Sequence, residues 1–360
     1  MRAAVMRGRK LVVDTLPDPE PGPGEVLVRT LACGICGSDL HVLEHAEELS
    51  EAARAAGSGA WMDPTRDIVM GHEFCAEVVE HGPGTAKRLA PGRRVCSMPL
   101  LPRAGGLRTV GYSDEVPGGY GELMLLSEAL LLPVPNGLPT ERAALCEPMA
   151  VGHHAVARAN PAPDDLPLVI GCGPVGLAVI ASLHLRGCRP IVAADFSPAR
   201  RRLAAELGAD VVVDPAQDSP YHTWRELAAR EGAPSPDPLS ALLGQPPRPA
   251  VVFECVGVPG VIDQILRGAP RGARIVVVGV CMQEDRFRPS LGIHKELSLL
   301  FALGYTPAEF AATLHHIAEG EIAVEPLVTG KVGVEGVANA FAALAHPERH
   351  AKILVEPWRS

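Results

Sequence analysis

Positive charge is in short supply. The 360 residues include 33 Lys and Arg against 42 Asp and Glu, a net charge of −9 at pH 7. With no long basic run to offset it, that balance excludes a nucleic-acid or anionic-membrane surface. An apolar leader is missing as well, since Met1–Lys10 has no signal-peptide core. A disulfide framework is also missing. The cysteines number 9, an odd count, and scatter from Cys33 to Cys281. Without a secretory leader they read as reduced thiols of a cytoplasmic protein, most of them small buried residues. The most apolar stretch, Pro167–Leu185, is about long enough for a membrane span. The glycines and prolines in its first half make it a buried strand followed by a helix instead.

What is present is ordinary for a folded chain with two cores: 47% hydrophobic and 21% charged residues. The expected fold class is α/β, a doubly wound parallel sheet beside a mainly β domain. Over 1–150, short β-rich runs such as Glu25–Arg29 alternate with turns such as Pro21-Gly22-Pro23-Gly24 and Gly82-Pro83-Gly84. Over 151–294, apolar strands alternate with helical segments, the pattern of a parallel sheet covered on both faces. The tail, 295–360, is expected to return to the first domain. Two stretches read as insertions. His45–Asp63 is Ala/Glu-rich and then Gly/Ser-rich, a helix followed by a mobile loop. Asp214–Pro249 is proline-rich with a short helical piece at Thr223–Arg230, a surface excursion. Trp61 and Trp224 are candidate pocket or packing aromatics.

Two short segments carry the chemistry of the first domain: Cys36-Gly37-Ser38-Asp39-Leu40-His41 and Gly71-His72-Glu73. They offer a thiolate, imidazoles, carboxylates and a hydroxyl. Such a mixed set suits zinc, and three protein ligands with one open position mark a catalytic rather than a structural site. A zinc of that kind polarises an alcohol or carbonyl oxygen.

A nucleotide signature lies in the second stretch. Strand Leu168–Ile170 runs into Gly171-Cys172-Gly173-Pro174-Val175-Gly176 and then an apolar helix. The glycine pattern alone is a weak signal. Its context is the required one, with a second strand ending at Asp195 about 20 residues past the loop. Gly171 permits the turn, Gly173 admits a pyrophosphate, and Gly176 lets helix and sheet pack closely. The helix N-terminus, where Pro174 and Val175 lie, turns its free N–H groups, from Val175 onward, to the phosphates. Asp195 suits the ribose hydroxyls of NAD and repels the additional phosphate of NADP. Arg200 pulls the other way, and NAD is favoured. Glu254-Cys255-Val256-Gly257 and Val278-Gly279-Val280 end later strands at the same edge, which assigns Val256, Gly279 and Val280 to the nicotinamide half.

Taken together and in order, these motifs, with Glu147-Pro148, resemble the zinc-containing medium-chain alcohol dehydrogenases, in the polyol, butanediol and threonine dehydrogenase branch. The resemblance spans essentially the whole chain. It implies a GroES-like domain at 1–150 completed by 295–360, and a Rossmann domain at 151–294. It implies zinc on Cys36 and His72, with Glu73 or Glu147 as a further ligand. Cys146 is a neighbouring alternative to Glu147. Asp39 would hold the far nitrogen of His72, Ser38 would touch the substrate hydroxyl, and His41 would relay its proton to water. The four-cysteine lobe that holds a structural zinc in many members is reduced here to Cys96, so one catalytic zinc is expected. The implied activity is hydride transfer between NAD(H) and a secondary alcohol, polyol or amino alcohol and its ketone. Members are usually homodimers or homotetramers, and the apolar run Leu297–Leu303 is a candidate subunit contact. Two rivals are a zinc-free quinone or enoyl reductase of the same superfamily and a nucleotide-binding protein without catalysis.

Overall fold

The computed structural model describes residues 1–57, 62–135, 137–229, 238–242, 248–346 and 349–359. Trp61 and the Gly/Ser-rich end of the first insertion lie outside them. The chain forms two compact units: Met1–Glu147 with Phe310–Gly320 and Leu327–Ser360, and Pro148–Glu309 with Glu321–Pro326.

The first unit is built around Glu25–Gly34, a strand that is buried along most of its length. It pairs antiparallel with Glu73–His81, Leu123–Ser127 and the last strand, Lys352–Val355. Register decides what meets at its end. Gly34 lies opposite Glu73 on one side and Leu354 on the other. Gly34 has to be a glycine, because a Cβ there would lie 2.1 Å from a Glu73 carboxylate oxygen. Arg94–Ser97, Leu131–Pro133 and Val328–Val332 extend this sheet, and a smaller sheet, Lys10–Thr15, Arg2–Arg7 and Ile68–Val69, and a hairpin, Leu100–Arg103 with Gly106–Thr109, complete the β framework.

The second unit contains a six-stranded sheet, every pair of it parallel. Its order is Val211–Val213, Val192–Ala194, Leu166–Ile170, Ala250–Glu254, Arg274–Val277, Ser298–Phe301. The order reverses between Leu166–Ile170 and Ala250–Glu254, and in such sheets ligands bind outside the strand ends at that point. The apolar stretch Pro167–Leu185 resolves into the central strand and the helix Pro174–Leu185. Among the described residues no helix is long and apolar enough to cross a membrane.

Three boundaries differ from those expected. Ser298–Phe301, assigned to the returning tail, is instead the edge strand of the parallel sheet. The helix of the first insertion starts earlier, at Gly37, and runs to Ala55 with a kink at His45. The second insertion is not all surface. Its helix, Pro220–Ala228, places Pro220, Trp224, Leu227 and Ala228 on one buried face. The Trp224 indole N–H donates to the Leu166 carbonyl at 3.0 Å. The helical piece expected at Thr223–Arg230 thus starts earlier, with a proline in its first turn, and is part of the core.

Replacing Trp224 with Ala should therefore cost about 3–5 kcal/mol of stability, read as a lower denaturation midpoint, with the metal content of the protein unchanged.

Candidate active site

The loop after Glu25–Gly34 turns at Cys36 into the helix Gly37–Ala55, and Asp39 sits in that helix's first turn. The second segment arrives through Gly71, whose φ of +101° is open to glycine and strained for other residues. A Cβ there would also meet the Tyr120 ring at 2.7 Å and the Cys33 sulfur at 2.9 Å. His72 and Glu73 follow at the start of the next strand. As a result, ligand atoms of Cys36, His72 and Glu73 all lie within 4.8 Å of one another. Among the described residues this is the only such group of three or more His, Cys, Asp or Glu. His72 and Glu73 are buried and Cys36 is half-buried. One sulfur, one imidazole and one carboxylate converging in a buried place fit a zinc ion.

Asp39 organises the site from beneath. Its Oδ2 accepts the Cys36 backbone N–H at 2.9 Å and the Tyr120 hydroxyl at 2.5 Å. Its Oδ1 accepts the Tyr112 hydroxyl at 2.8 Å and lies 3.4 Å from His72 Nδ1. Burial works to raise the Asp39 pKa, but His72, Tyr120 and the Cys36 N–H outweigh it and hold the carboxyl below its usual range. For His72 burial opposes a positive charge, yet Asp39 and Cys36 prevail and raise its pKa well above the ordinary value. The field at this point attracts a cation. The His72 ring rests against Tyr112, centroids 4.9 Å apart.

Glu73 is matched by a residue that sequence reasoning missed. Lys352 Nζ lies 2.7 Å from both Glu73 oxygens and donates to the Ile35 carbonyl at 3.0 Å. Both side chains are buried. Burial disfavours the ammonium, but Glu73 and then Cys36 keep the Lys352 pKa above its usual value. The available signal was a lone lysine heading the apolar run Lys352-Ile353-Leu354-Val355.

Glu147 is buried in the first turn of the helix Cys146–Ala159. It is not among the three clustered ligands, although its charge is felt at Lys352. Cys146 is a packed thiol 3.5 Å from the Phe310 carbonyl, and burial pushes its pKa well up. Ser38 is half-buried with its hydroxyl 2.7 Å from that of Tyr112. His41, one turn along the same helix face, is half-buried too, and burial lowers its pKa.

In the second unit, the glycine loop joins the central strand Leu166–Ile170 to the helix Pro174–Leu185. A Cβ on Gly176 would fall 1.9 Å from the Gly171 carbonyl, whereas over Gly173 the nearest atom is an Arg200 nitrogen 3.8 Å away. The space above Gly173 is therefore open. The helix begins with Pro174 and Val175. Asp195 accepts the Cys172 N–H at 2.7 Å and the Ser197 N–H at 2.8 Å, and Arg200 lies 3.9 Å from it. Glu254 Oε1 accepts the N–H groups of Val256 and Gly257. This holds the Val256 turn against Gly279, where a Cβ would lie 2.4 Å from the Gly257 nitrogen. Val256 and Val280 are exposed.

Two family descriptions match: the alcohol dehydrogenase GroES-like domain over residues 22–136 and the zinc-binding dehydrogenase over 174–319. (R,R)-butanediol dehydrogenase of Bacillus subtilis is 30% identical over 99% of this chain and 100% of its own. Sorbitol dehydrogenase of Gallus gallus is 29% identical over 95% of this chain and 92% of its own. L-threonine 3-dehydrogenase of Rhizobium rhizogenes is 26% identical over 93% of this chain and 92% of its own. Among solved structures, 2R,3R-butanediol dehydrogenase of Bacillus subtilis is similar at a TM-score of 0.80 and 29% identity, over 99% of each chain. A zinc-binding dehydrogenase of Sinorhizobium meliloti bound to NADP is similar at 0.79 and 25% identity, over 99% of each. The chain belongs to the zinc-containing medium-chain alcohol dehydrogenase family, in its polyol dehydrogenase branch. It is accordingly an oxidoreductase acting on CH–OH donors.

Changing Lys352 to Met would leave the Glu73 charge buried and unpaired. Chemical denaturation should show a loss of about 3–5 kcal/mol. The double change with Glu73→Gln should recover much of it, because it removes the orphaned charge.

Proposed function

We propose that this enzyme interconverts a secondary alcohol carrying a neighbouring polar group, such as a vicinal diol, polyol or amino alcohol, with its ketone, using NAD. The observation that carries this reading is the convergence of Cys36, His72 and Glu73, with the Ser38 hydroxyl hydrogen-bonded to Tyr112, whose ring rests against His72. Its similarity to butanediol, sorbitol and threonine dehydrogenases supports the substrate class.

In this reading Cys36, His72 and Glu73 hold zinc, and Glu147 is a reserve carboxylate. Asp39 beside His72 Nδ1 leaves Nε2 as the ligand nitrogen. Zinc supplies Lewis acidity toward the substrate oxygen, and the dinucleotide supplies the hydride acceptor. Ser38 contacts the alcohol hydroxyl, and His41 passes the proton to water. Its lowered pKa keeps the imidazole neutral, and so able to accept, to lower pH than an ordinary histidine. The Pro174–Leu185 helix terminus binds the pyrophosphate. Asp195 receives the ribose hydroxyls, with Val256, Gly279 and Val280 at the nicotinamide. Arg200 beside Gly173 is the feature that would admit NADP.

We assign one zinc per chain. The strand Arg94–Ser97 and the hairpin that follows offer Cys96 alone, and its thiol is engaged with the Ala143 carbonyl at 3.3 Å. A homo-oligomer is supported by the edge strand Ser298–Phe301, near which Phe301 is 63% and Leu303 89% exposed. Nine unpaired thiols fit a reducing cytoplasm.

The test is a screen of diols, polyols and amino alcohols with NAD and with NADP, alongside metal analysis. One zinc per chain is expected, with turnover preferring NAD, lost on chelation and restored by zinc. Activity that survives with no zinc bound would support the zinc-free reductase, and no turnover on any of these alcohols would overturn the substrate class.

A further inference from the structure

Tyr112 is absorbed by neither the metal nor the cofactor reading. It follows the hairpin strand Gly106–Thr109 and is held by its N–H to the Thr109 carbonyl at 3.0 Å. Its buried hydroxyl lies 2.7 Å from Ser38 Oγ and 2.8 Å from Asp39 Oδ1. Tyr120 reaches the same carboxylate at Oδ2.

Proton counting sets the direction of these bonds. An ionised carboxylate accepts only, and a phenol has a single proton. Asp39 already accepts the Cys36 N–H and the Tyr120 hydroxyl, as an ionised group does. The Tyr112 proton therefore points at Asp39 Oδ1. Its oxygen is left to accept, and the partner 2.7 Å away is Ser38. The Ser38 proton is committed to Tyr112, and the lone pairs of Ser38 are left for other donors.

We propose that Tyr112 is a positioning residue that fixes Ser38 as a hydrogen-bond acceptor, so that the resting site binds the alcohol, a donor, in preference to the ketone, which can only accept. This rests on the reading that Ser38 touches the substrate oxygen. It goes beyond that reading by giving the serine a direction and the enzyme a bias between its two substrates. Tyr112 also shields one face of His72, so a loss of packing has to be separated from a loss of orientation.

The experiment compares the KM for butanediol with the KM for its hydroxyketone in wild type and in Tyr112→Phe, Tyr120→Phe and Ser38→Ala, with zinc content measured for each. Tyr112→Phe should raise the alcohol KM about tenfold, the scale of one hydrogen bond. It should leave the ketone KM unchanged or lower and the zinc content intact. Tyr120→Phe, which touches Asp39 but not Ser38, should not alter the ratio. If Ser38→Ala leaves both KM values and turnover as in wild type, the serine reading itself fails. If Ser38→Ala is impaired while Tyr112→Phe moves both KM values equally or neither, the proposal fails and the serine reading stands. Neutron diffraction of the deuterated wild-type protein gives the same answer without a variant. A Ser38 deuteron on the line to Tyr112 supports the proposal, and a Tyr112 deuteron on the line to Ser38 overturns it.

Discussion

The buried Asp39 carboxylate is the interaction on which the active site depends. It takes donors from three directions: the Cys36 backbone, Tyr112 and Tyr120. The His72 ring stands beside it. Removing a carboxylate from water costs several kcal/mol unless its lone pairs are occupied. Here they are occupied by the groups that need placing. The N–H of Cys36, the ring nitrogen of His72 and the tyrosine beside Ser38 are each located relative to one anion. The same negative charge raises the pKa of His72 and so favours a cation in this place. Position and electrostatics come from a single group.

A second buried pair works alongside it. Glu73 and Lys352 neutralise each other where three strands meet, at a register that requires glycine at position 34. A carboxylate free of Lys352 would carry its full charge into the ligand cluster. With the lysine bonded to both oxygens, Glu73 lies near Cys36 and His72 without leaving an unbalanced buried charge. The pair also ties the strand Lys352–Val355 to the start of the strand Glu73–His81. This is one physical reason why the strand Lys352–Val355 belongs to the first unit although residues of the second unit intervene in the sequence.

Much of this was legible in the sequence because it is local. The Cys36-to-Asp39 spacing is one helical turn, and the glycine loop is bracketed by its own strand and helix. What escaped notice depends on long-range pairing. Lys352 is 279 residues from Glu73 and is read as part of an apolar strand. Tyr112 lies in a segment that was informative mainly for the cysteines it lacks, and its hydroxyl gains meaning only when the fold brings it to Ser38. Ser298–Phe301 has the apolar character of a strand, but nothing local tells an edge strand of the parallel sheet from one that closes the other unit. Trp224 is legible as a packing aromatic on a short helical piece, but the surrounding prolines make that segment read as a surface excursion, although Pro220, Trp224 and Leu227 share one buried helix face.

The most direct test of the central role of Asp39 is the zinc affinity of Asp39→Asn, measured by competition with a chelating dye. Circular dichroism and dinucleotide binding serve as controls for folding. If one carboxylate positions the ligands, the affinity should fall about 10–100-fold while both controls are retained. An affinity equal to that of the wild type would contradict the account, because the ligands would then be held in place without it.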